Sequence, residues 1–405
     1  MKLNLFSASY PYGSGEQFLV KEIEHLSSKF DLINIYPFYY NALDEKKRKV
    51  PANVIVHEPV IPIRKFKRII IILRNFFYVN KKTIFFKEFF SFKVYLSKKR
   101  FLSWLINFTA FITLSGNKNF KKLQNEKDSI FYFYWGYGWA LSMLIFKNFN
   151  NNKFYLRLHG SDVFLDRNDY YIPVRKEIFS KIDYFLPISN TVKEYLIDNF
   201  QIPEQKIIVS YLGADFQSLN PKPLTSKFRI VSVSHLIPLK RVNLIIDILS
   251  NLDHSIEWVH FGDGFKKDSI ISHAKNKLPN NISFKLMGFV TNNEVLQYYK
   301  TTPIDVLINT SRYEGLPFSI IEAMSFGIPC IATSAGATNE IVNSMNGLLL
   351  PINFDASYVS EELSYNNKKH WINKRKFAFN TWKNQFNAQK NYETLFQNLT
   401  KKRTL

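Results

Sequence analysis

The sequence predicts an α/β chain made of two doubly wound, parallel-sheet domains, and three observations carry that reading. Strand-like and helix-like segments alternate, a polar stretch with two prolines interrupts them, and the alternation then restarts. A chain of 405 residues with 46% hydrophobic content also exceeds what one core usually covers.

The first run opens with "KLNLFSA" as a strand, "YPYGSGE" as a glycine turn, "QFLVKEIEHLSSKF" as a helix and "DLINIYPF" as a second strand. This βαβ opening lacks the seven or more apolar residues of a signal-peptide core, which argues against export. "NKFYLRLHGSD" and "IDYFLPISNTVKEYLIDNF" repeat the pattern, with Ser189, Asn190 and Thr191 placed to cap a helix, and "KIIVSYLGAD" is expected as a further short strand. The interruption is "FQSLNPKPLTSK". The expected organisation is an N-terminal domain over 1–215, a linker over 216–227, a second domain over 228–374, and a C-terminal helix over 375–405 that packs back on the first domain.

The second run reads "FRIVSVSHL", "KRVNLIIDILSNL", "IEWVHFGDG", "ISFKLMGFV", "NNEVLQYYK", "IDVLINTS", "PFSIIEAMSFG" and "IPCIATS". Strands alternating with helices imply parallel sheets, in which ligands sit beyond the carboxyl ends of the strands, and two facing domains would make a cleft. The single cysteine, Cys330, lies in the last of these apolar runs, so it reads as a small core residue in a reducing compartment.

A formal charge of +21 is unevenly placed. Residues 61–105 carry twelve Lys or Arg against one acid, Glu88, interleaved with twelve aromatics. An anionic membrane surface, a solvated basic face over an aromatic core, and an anionic soluble partner all fit this stretch. Nucleic acid is not expected, since no zinc-finger, helix-turn-helix or RNP-like pattern accompanies the charge. The most lipid-like stretch, 101–114, would reach about 21 Å as a helix against a hydrocarbon core of roughly 30 Å, so no spanning helix is expected.

The chemistry concentrates in "SRYEGLPFSIIEAMSFGIPCIATSAG", 311–336. Glu314 lies in a loop just before a helix that starts near Pro317, and Glu322 lies inside that helix. Between them are the unpaired N–H groups and the positive end of the helix dipole, which suit an anion. Two carboxylates beside an anion make sense when the ligand also brings hydroxyl donors, as a nucleotide sugar does. Their repulsion of a diphosphate calls for a cation, and Lys240 in "SVSHLIPLKRVNLI", followed by Arg241, is the best placed. Structural alternatives stand beside each: dipole stabilisation for Glu314, an exposed helix position for Glu322, plain surface charge for Lys240. The eight-residue spacing itself is uninformative, because Glu16 and Glu24 share it with nothing comparable around them.

"EGLPFSIIEAMSFGIPCIATSAGATNEIV" followed by "NGLLLP" resembles the E-x7-E signature of the retaining glycosyltransferases of family 4, the group 1 glycosyltransferases. "SVSHLIPLKRVNLIIDIL", "WVHFGDGFKKDSI" and "KLMGFVTNNEVLQYYK" are similar to further segments of that family. "YPYGSGEQFLVKEIEHL", "LRLHGSDVF", "DYFLPISNTVKEYL" and "VSYLGADFQSLNP" resemble members that build capsular, colanic-acid-like or amylovoran-like polysaccharides. The resemblance implies a GT-B fold, two facing Rossmann-like domains, and a retaining, metal-independent hexosyltransferase. Its donor would be a UDP- or GDP-linked sugar acting as co-substrate, with no cofactor and no D-x-D metal motif. Its acceptor would be a lipid-linked glycan in bacterial surface polysaccharide biosynthesis, reached from the cytoplasmic side by a protein peripheral to the inner face of the plasma membrane. A non-catalytic GT-B scaffold, a glycan-binding subunit or a nucleotide-sugar epimerase are the alternatives.

Carried over residue by residue, the resemblance implies that Glu322 holds the ribose and Glu314 contacts the donor sugar. Gly315, Leu316, Pro317, Phe318 and Ser319 would present main-chain N–H groups, and Lys240 would neutralise the diphosphate. His159 of "HGSD" would face the donor sugar, with a satisfied strand-end histidine as its alternative. Gly13 and Gly15 would let the first loop approach donor or acceptor, or form a plain tight turn. One departure matters. Ser234 and His235 stand where the family usually has Gly-Arg, and Arg241 stands where Gly often follows, so the diphosphate would lean on Lys240 and the helix, or borrow His235 and Arg241. The family's transfer is pictured as front-face, with the leaving diphosphate taking the acceptor's proton and the protein stabilising its charge.

Overall fold

Strands form where the chain runs apolar on both faces, as strands covered by helices on either side must. The computed structural model of the protein describes residues 1–13, 15–39, 47–61, 84–146, 151–223, 227–364 and 368–401. It divides into two compact units, one formed by Met1–Ser210 with the chain from Tyr392 onward, the other by Tyr211–Asn391.

The first unit holds a six-stranded sheet of β1 (Lys2–Ser7), β2 (Leu32–Pro37), β3 (Val54–Val56), β4 (Ile130–Phe133), β5 (Lys153–Leu158) and β6 (Tyr184–Pro187), in the order β3-β2-β1-β4-β5-β6. Every pairing is parallel, and β1 is flanked on one side by β2 and on the other by β4, with Leu3 opposite both Ile33 and Ile130. The core is aromatic: Phe6 and Phe133 stack at 4.7 Å, and Phe131 lies 5.0 Å from Phe154. Helix α1 (Gln17–Ser27) follows β1 and buries Leu19, Ile23 and Leu26, each contributing about 1.5–3 kcal/mol of transfer free energy. Helix α2 (Lys98–Ser115) starts on Ser97, whose side chain accepts from Arg100 N, α3 (Asn190–Phe200) starts on Ser189, whose side chain accepts from Val192 N, and α4 (Asn243–Leu249) lies in the second unit.

The second unit holds β7 (Phe228–Val233), β8 (Ile256–Phe261), β9 (Ile282–Leu286), β10 (Val306–Asn309), β11 (Cys330–Thr333) and β12 (Gly347–Leu350), in the order β12-β11-β10-β7-β8-β9. Again all pairs are parallel, and the first strand of the unit, β7, sits between its second, β8, and its fourth, β10. Both units therefore share the doubly wound order in which strand succession reverses beside the first strand, and that reversal opens a crevice at the carboxyl ends of the two strands that flank it. Cys330 is fully buried in β11, and desolvation pushes its thiol pKa up.

Three expectations change. "KIIVSYLGAD" makes no strand. Ile207 only bridges Phe185, and the main chain then divides its bonds between β6, through Ser210 N to Pro187 O at 2.8 Å, and the 386–388 segment, through Ala214 N to Phe386 O at 3.0 Å. The stretch expected as a linker is tied to the second unit at Asn220, which is buried, takes Ile304 N at 3.0 Å, and donates to Tyr299 O and Thr302 O. The C-terminal segment is not one helix: α7 (Lys368–Thr381) ends in a π turn, Trp382–Phe386, and α8 (Ala388–Thr400) begins after an extended Asn387. Only from Tyr392 does it belong to the first unit, where Tyr392, Leu395 and Leu399 are buried and Phe396 meets Phe30 edge-on at 5.2 Å.

Candidate functional site

In the second unit the reversal point lies between β7 and β10, and the two loops leaving their carboxyl ends carry Lys240 and Glu314. The β7 loop is held from below by the "FGDG" turn: Ser234 N donates to Phe261 O and Leu236 N to Asp263 O, both at 3.0 Å. Gly262 has φ +137°, and a Cβ there would stand 1.9 Å from Ser234 O, so only glycine lets the two backbones meet. That glycine turn thus shapes the lysine loop. The β10 loop is held by a second close approach: Gly336 has φ +57°, a Cβ on it would lie 1.9 Å from Glu314 O, and Ala337 N donates to Gly315 O at 3.2 Å.

These supports bring Lys240 Nζ to 2.6 Å from Glu314 Oε1, with Asn309 Nδ2 donating to the same oxygen at 3.4 Å. The two charged side chains are only 19% and 12% exposed. Arg241 follows with a left-handed backbone, φ 48°, which turns its guanidinium inward. Its Nε donates to Thr310 O and its Nη1 to Ile352 O, both at 2.8 Å, so it knits loops together rather than facing outward. Its pKa is lowered by burial first and by Arg312 second. His235 is exposed.

Helix α6 (Phe318–Ser325) starts after Pro317, whose carbonyl takes the first helical bonds, from Ile320 N at 3.1 Å and Ile321 N at 3.4 Å, so Phe318 and Ser319 carry the N–H groups that precede them. Leu316 and Pro317 are buried, while Gly315, Phe318 and Ser319 are partly exposed around that helix end. Glu322 is 8% exposed, one turn inside α6, and its Oε1 accepts from Asn292 Nδ2 at 2.7 Å. Asn292 opens helix α5 (Asn292–Thr301), set by a capping box of Thr291 and Glu294. Desolvation lifts the Glu322 carboxyl to about 7, with the Asn292 bond opposing it.

In the first unit the reversal point lies between β1 and β4. Gly13 in the β1 loop has φ +69° and, among the described residues, nothing within 4 Å of where a side chain would start, and Gly15 is exposed with Ser9 Oγ at 3.7 Å. His159, at the end of β5, is buried, and neither of its ring nitrogens has a partner among the described residues. Its ring is boxed by Trp135 at 4.1 Å, Tyr134 at 5.0 Å and Phe18 at 5.4 Å. Burial, aided by Arg157, holds its pKa well below the usual histidine value, so the ring is neutral. The "HGSD" turn is set by Asp162, which accepts from His159 N at 2.8 Å and Gly136 N at 2.9 Å.

Sequence reasoning passed over Asp162 and Glu16. Asp162 was legible in the quoted motif as a carboxylate able to close its own turn. Nothing in the sequence around Glu16 marks it, yet its carboxylate accepts three main-chain N–H groups and the Trp135 indole.

The basic-aromatic segment is described from residue 84 onward, and 62–83 lie outside the described residues. In the described part, Phe90 is 83% exposed and Phe92 78%, and Leu102, Leu105 and Ile106 form an exposed apolar edge of α2. The only acid, Glu88, is turned inward onto Tyr171 Oη at 2.8 Å and Val174 N at 2.9 Å. No helix among the described residues is long and apolar enough to cross a membrane, and no group of three metal-ligating side chains is found among them.

With Lys240, Glu314 and Glu322 placed at one strand reversal, comparison with known proteins is direct. Residues 216–375 match the family model of glycosyl transferases group 1. The chain is 24% identical over 356 residues to an uncharacterized glycosyltransferase of Methanocaldococcus jannaschii, covering 86% of this chain and 84% of that one. It is 26% identical over 191 residues to the Escherichia coli UDP-Gal:alpha-D-GlcNAc-diphosphoundecaprenol alpha-1,3-galactosyltransferase, over 43% of this chain and about half, 48%, of that relative. Its fold matches the Anabaena HepE structure in complex with UDP-glucose at a TM-score of 0.63 and 15% identity, over 98% of this chain and 99% of that one. The two Rossmann-like units are of the GT-B fold class.

Proposed function

We propose that this protein is a retaining, metal-independent glycosyltransferase that moves a sugar from a UDP- or GDP-linked donor to a lipid-linked glycan in surface polysaccharide biosynthesis. The observation that carries the reading is the Lys240–Glu314 pair beside the start of α6, where a cation, open N–H groups and the buried carboxylate of Glu322 share one strand reversal. On donor binding, Lys240 exchanges Glu314 for the diphosphate, and Glu314 is released to accept from a sugar hydroxyl. Main-chain N–H groups over Gly315–Ser319 take further phosphate oxygens, and Glu322 accepts from the ribose. The vacant ring nitrogens of His159, in an aromatic box, suit a sugar hydroxyl. As the glycosidic bond breaks, charge grows on the departing diphosphate, and Lys240 with the helix N–H groups stabilises it while it takes the acceptor's proton. The similarity to a galactosyltransferase named for a UDP-Gal donor and a diphosphoundecaprenol-linked acceptor, and to a structure in complex with UDP-glucose, supports both ends of this reaction.

Exposed Phe90, Phe92 and the α2 edge, flanked by the exposed Lys87, Lys93, Lys98 and Lys99, support seating on an anionic leaflet, where lipid-linked acceptors reside. A panel of nucleotide sugars, scored for nucleotide release with and without lipid-linked acceptors, tests the function. Acceptor-dependent release from one donor is expected. Acceptor-independent release would point to epimerisation, and binding without release to a scaffold.

A further inference from the structure

The first turn of a doubly wound sheet is where main-chain N–H groups commonly receive a phosphate. In the first unit that place is already filled. The successive N–H groups of Ala8, Ser9 and Tyr10, at the carboxyl end of β1, all donate to the carboxylate of Glu16, at 3.0, 2.7 and 2.7 Å. A fourth donor, Trp135 Nε1, reaches the same carboxylate at 2.7 Å from the loop after β4. One side chain thus ties together the two loops that flank the reversal point. The backbone serves this: Glu16 stands before α1 with a left-handed φ of 52°, and its side chain makes no cap bond to that helix. Arg48 closes the outside, donating to Gly15 O and to Pro11 O and stacking over Tyr10. Glu16 itself is 8% exposed.

We propose that Glu16 is a positioning residue whose carboxylate occupies the anion nest of the first unit and, through the Trp135 indole, fixes the aromatic wall that orients the His159 ring toward a sugar hydroxyl. This deepens the proposed function and rests on its reading of His159. Two consequences follow. The first unit's β1 turn excludes a diphosphate, because the nest is full and negative, so its loops are left to neutral, hydroxyl-bearing groups. And the Trp135 ring, 4.1 Å from that of His159, keeps its place only while the carboxylate holds the indole.

The test compares the full-length protein with Glu16→Gln, Glu16→Ala and Trp135→Phe. The Trp135 indole signal in a spectrum of 15N-indole-labelled protein is assigned by its loss in Trp135→Phe, and the His159 ring signals by their loss in His159→Asn. Expected for Glu16→Gln are shifted Trp135 and His159 signals, kcat reduced tenfold or more, and UDP or GDP affinity within twofold of the parent. Glu16→Ala should regain part of its kcat in acetate or formate, which can enter the emptied nest. Unmoved Trp135 and His159 signals in Glu16→Gln would overturn the proposal. So would a parallel loss of melting temperature, nucleotide affinity and kcat that no carboxylate relieves, since that marks a merely structural residue. If the parent protein turns over no nucleotide sugar while the two signals still move, the positioning stands and the enzymatic reading fails.

Discussion

Lys240 Nζ and Glu314 Oε1 meet at 2.6 Å across 74 residues of sequence, each carried by a loop from one of two adjacent strands. The carboxylate stands in for the negative charge that a diphosphate would bring. We expect Lys240→Ala and Glu314→Ala each to reduce transfer at least a hundredfold. Removing one partner leaves the other charge shielded and unpaired, at a cost of about 1–3 kcal/mol by denaturant titration. The double variant should recover stability without recovering turnover. Near-normal turnover in a folded Lys240→Ala protein would sink the phosphate role.

Glu322 makes stability depend on pH. Its carboxyl titrates at about 7 in the folded protein against the ordinary value of 4.5, so the folded state holds the proton more tightly. The resulting stabilisation is complete below pH 4.5 and is lost as pH rises through 7, amounting to on the order of 3 kcal/mol. Melting curves from pH 4.5 to 8.5 should show the parent falling relative to Glu322→Gln across that window, and parallel curves would refute the assignment.

Nucleotide binding should also release protons near pH 6.5, because ribose hydroxyls donating to Glu322 favour its charged form. Calorimetry in buffers of different ionisation enthalpy reads this directly, and Glu322→Gln should abolish it.

Gly336 and Gly13 both have left-handed φ but different surroundings. A methyl at Gly336 collides with Glu314 O at 1.9 Å, whereas at Gly13 no atom of the described residues lies within 4 Å. Gly13→Ala should therefore cost only about 1 kcal/mol of conformational strain. Gly336→Ala should displace the Glu314 carbonyl and cut kcat/KM tenfold or more, and equal behaviour of the two variants would argue against the clamp.

Phe90→Ser with Phe92→Ser should release the protein from vesicles containing phosphatidylglycerol, with turnover of a soluble acceptor unchanged. Binding by the parent should weaken as salt rises, since the flanking cations are exposed and screened. A parent protein indifferent to such vesicles at low salt would refute membrane seating.

Local features read well from sequence and long-range partnerships did not. Alternating apolar runs placed most strands of both sheets, and Pro317 marked the start of α6. The four all-apolar residues of β4 carry no period that separates strand from helix, so the central neighbour of β1 went unassigned. Glu16 and Glu314 each stand eight residues before another glutamate, and spacing could not tell them apart. What distinguishes Glu16 is Trp135, 119 residues away. Arg241 read as a spare cation, but a left-handed backbone sends it into carbonyls, a property of one φ angle that no pattern reports.

The chain's last helix has a consequence for how the protein is made. Tyr392, Leu395 and Leu399 complete the first unit, yet they emerge from the ribosome only after all of Tyr211–Asn391. The half begun first is closed last. During synthesis its sheet must wait with an uncovered apolar seat while the second half folds as an independent body, and a nascent chain stalled before Tyr392 would present that seat to chaperones.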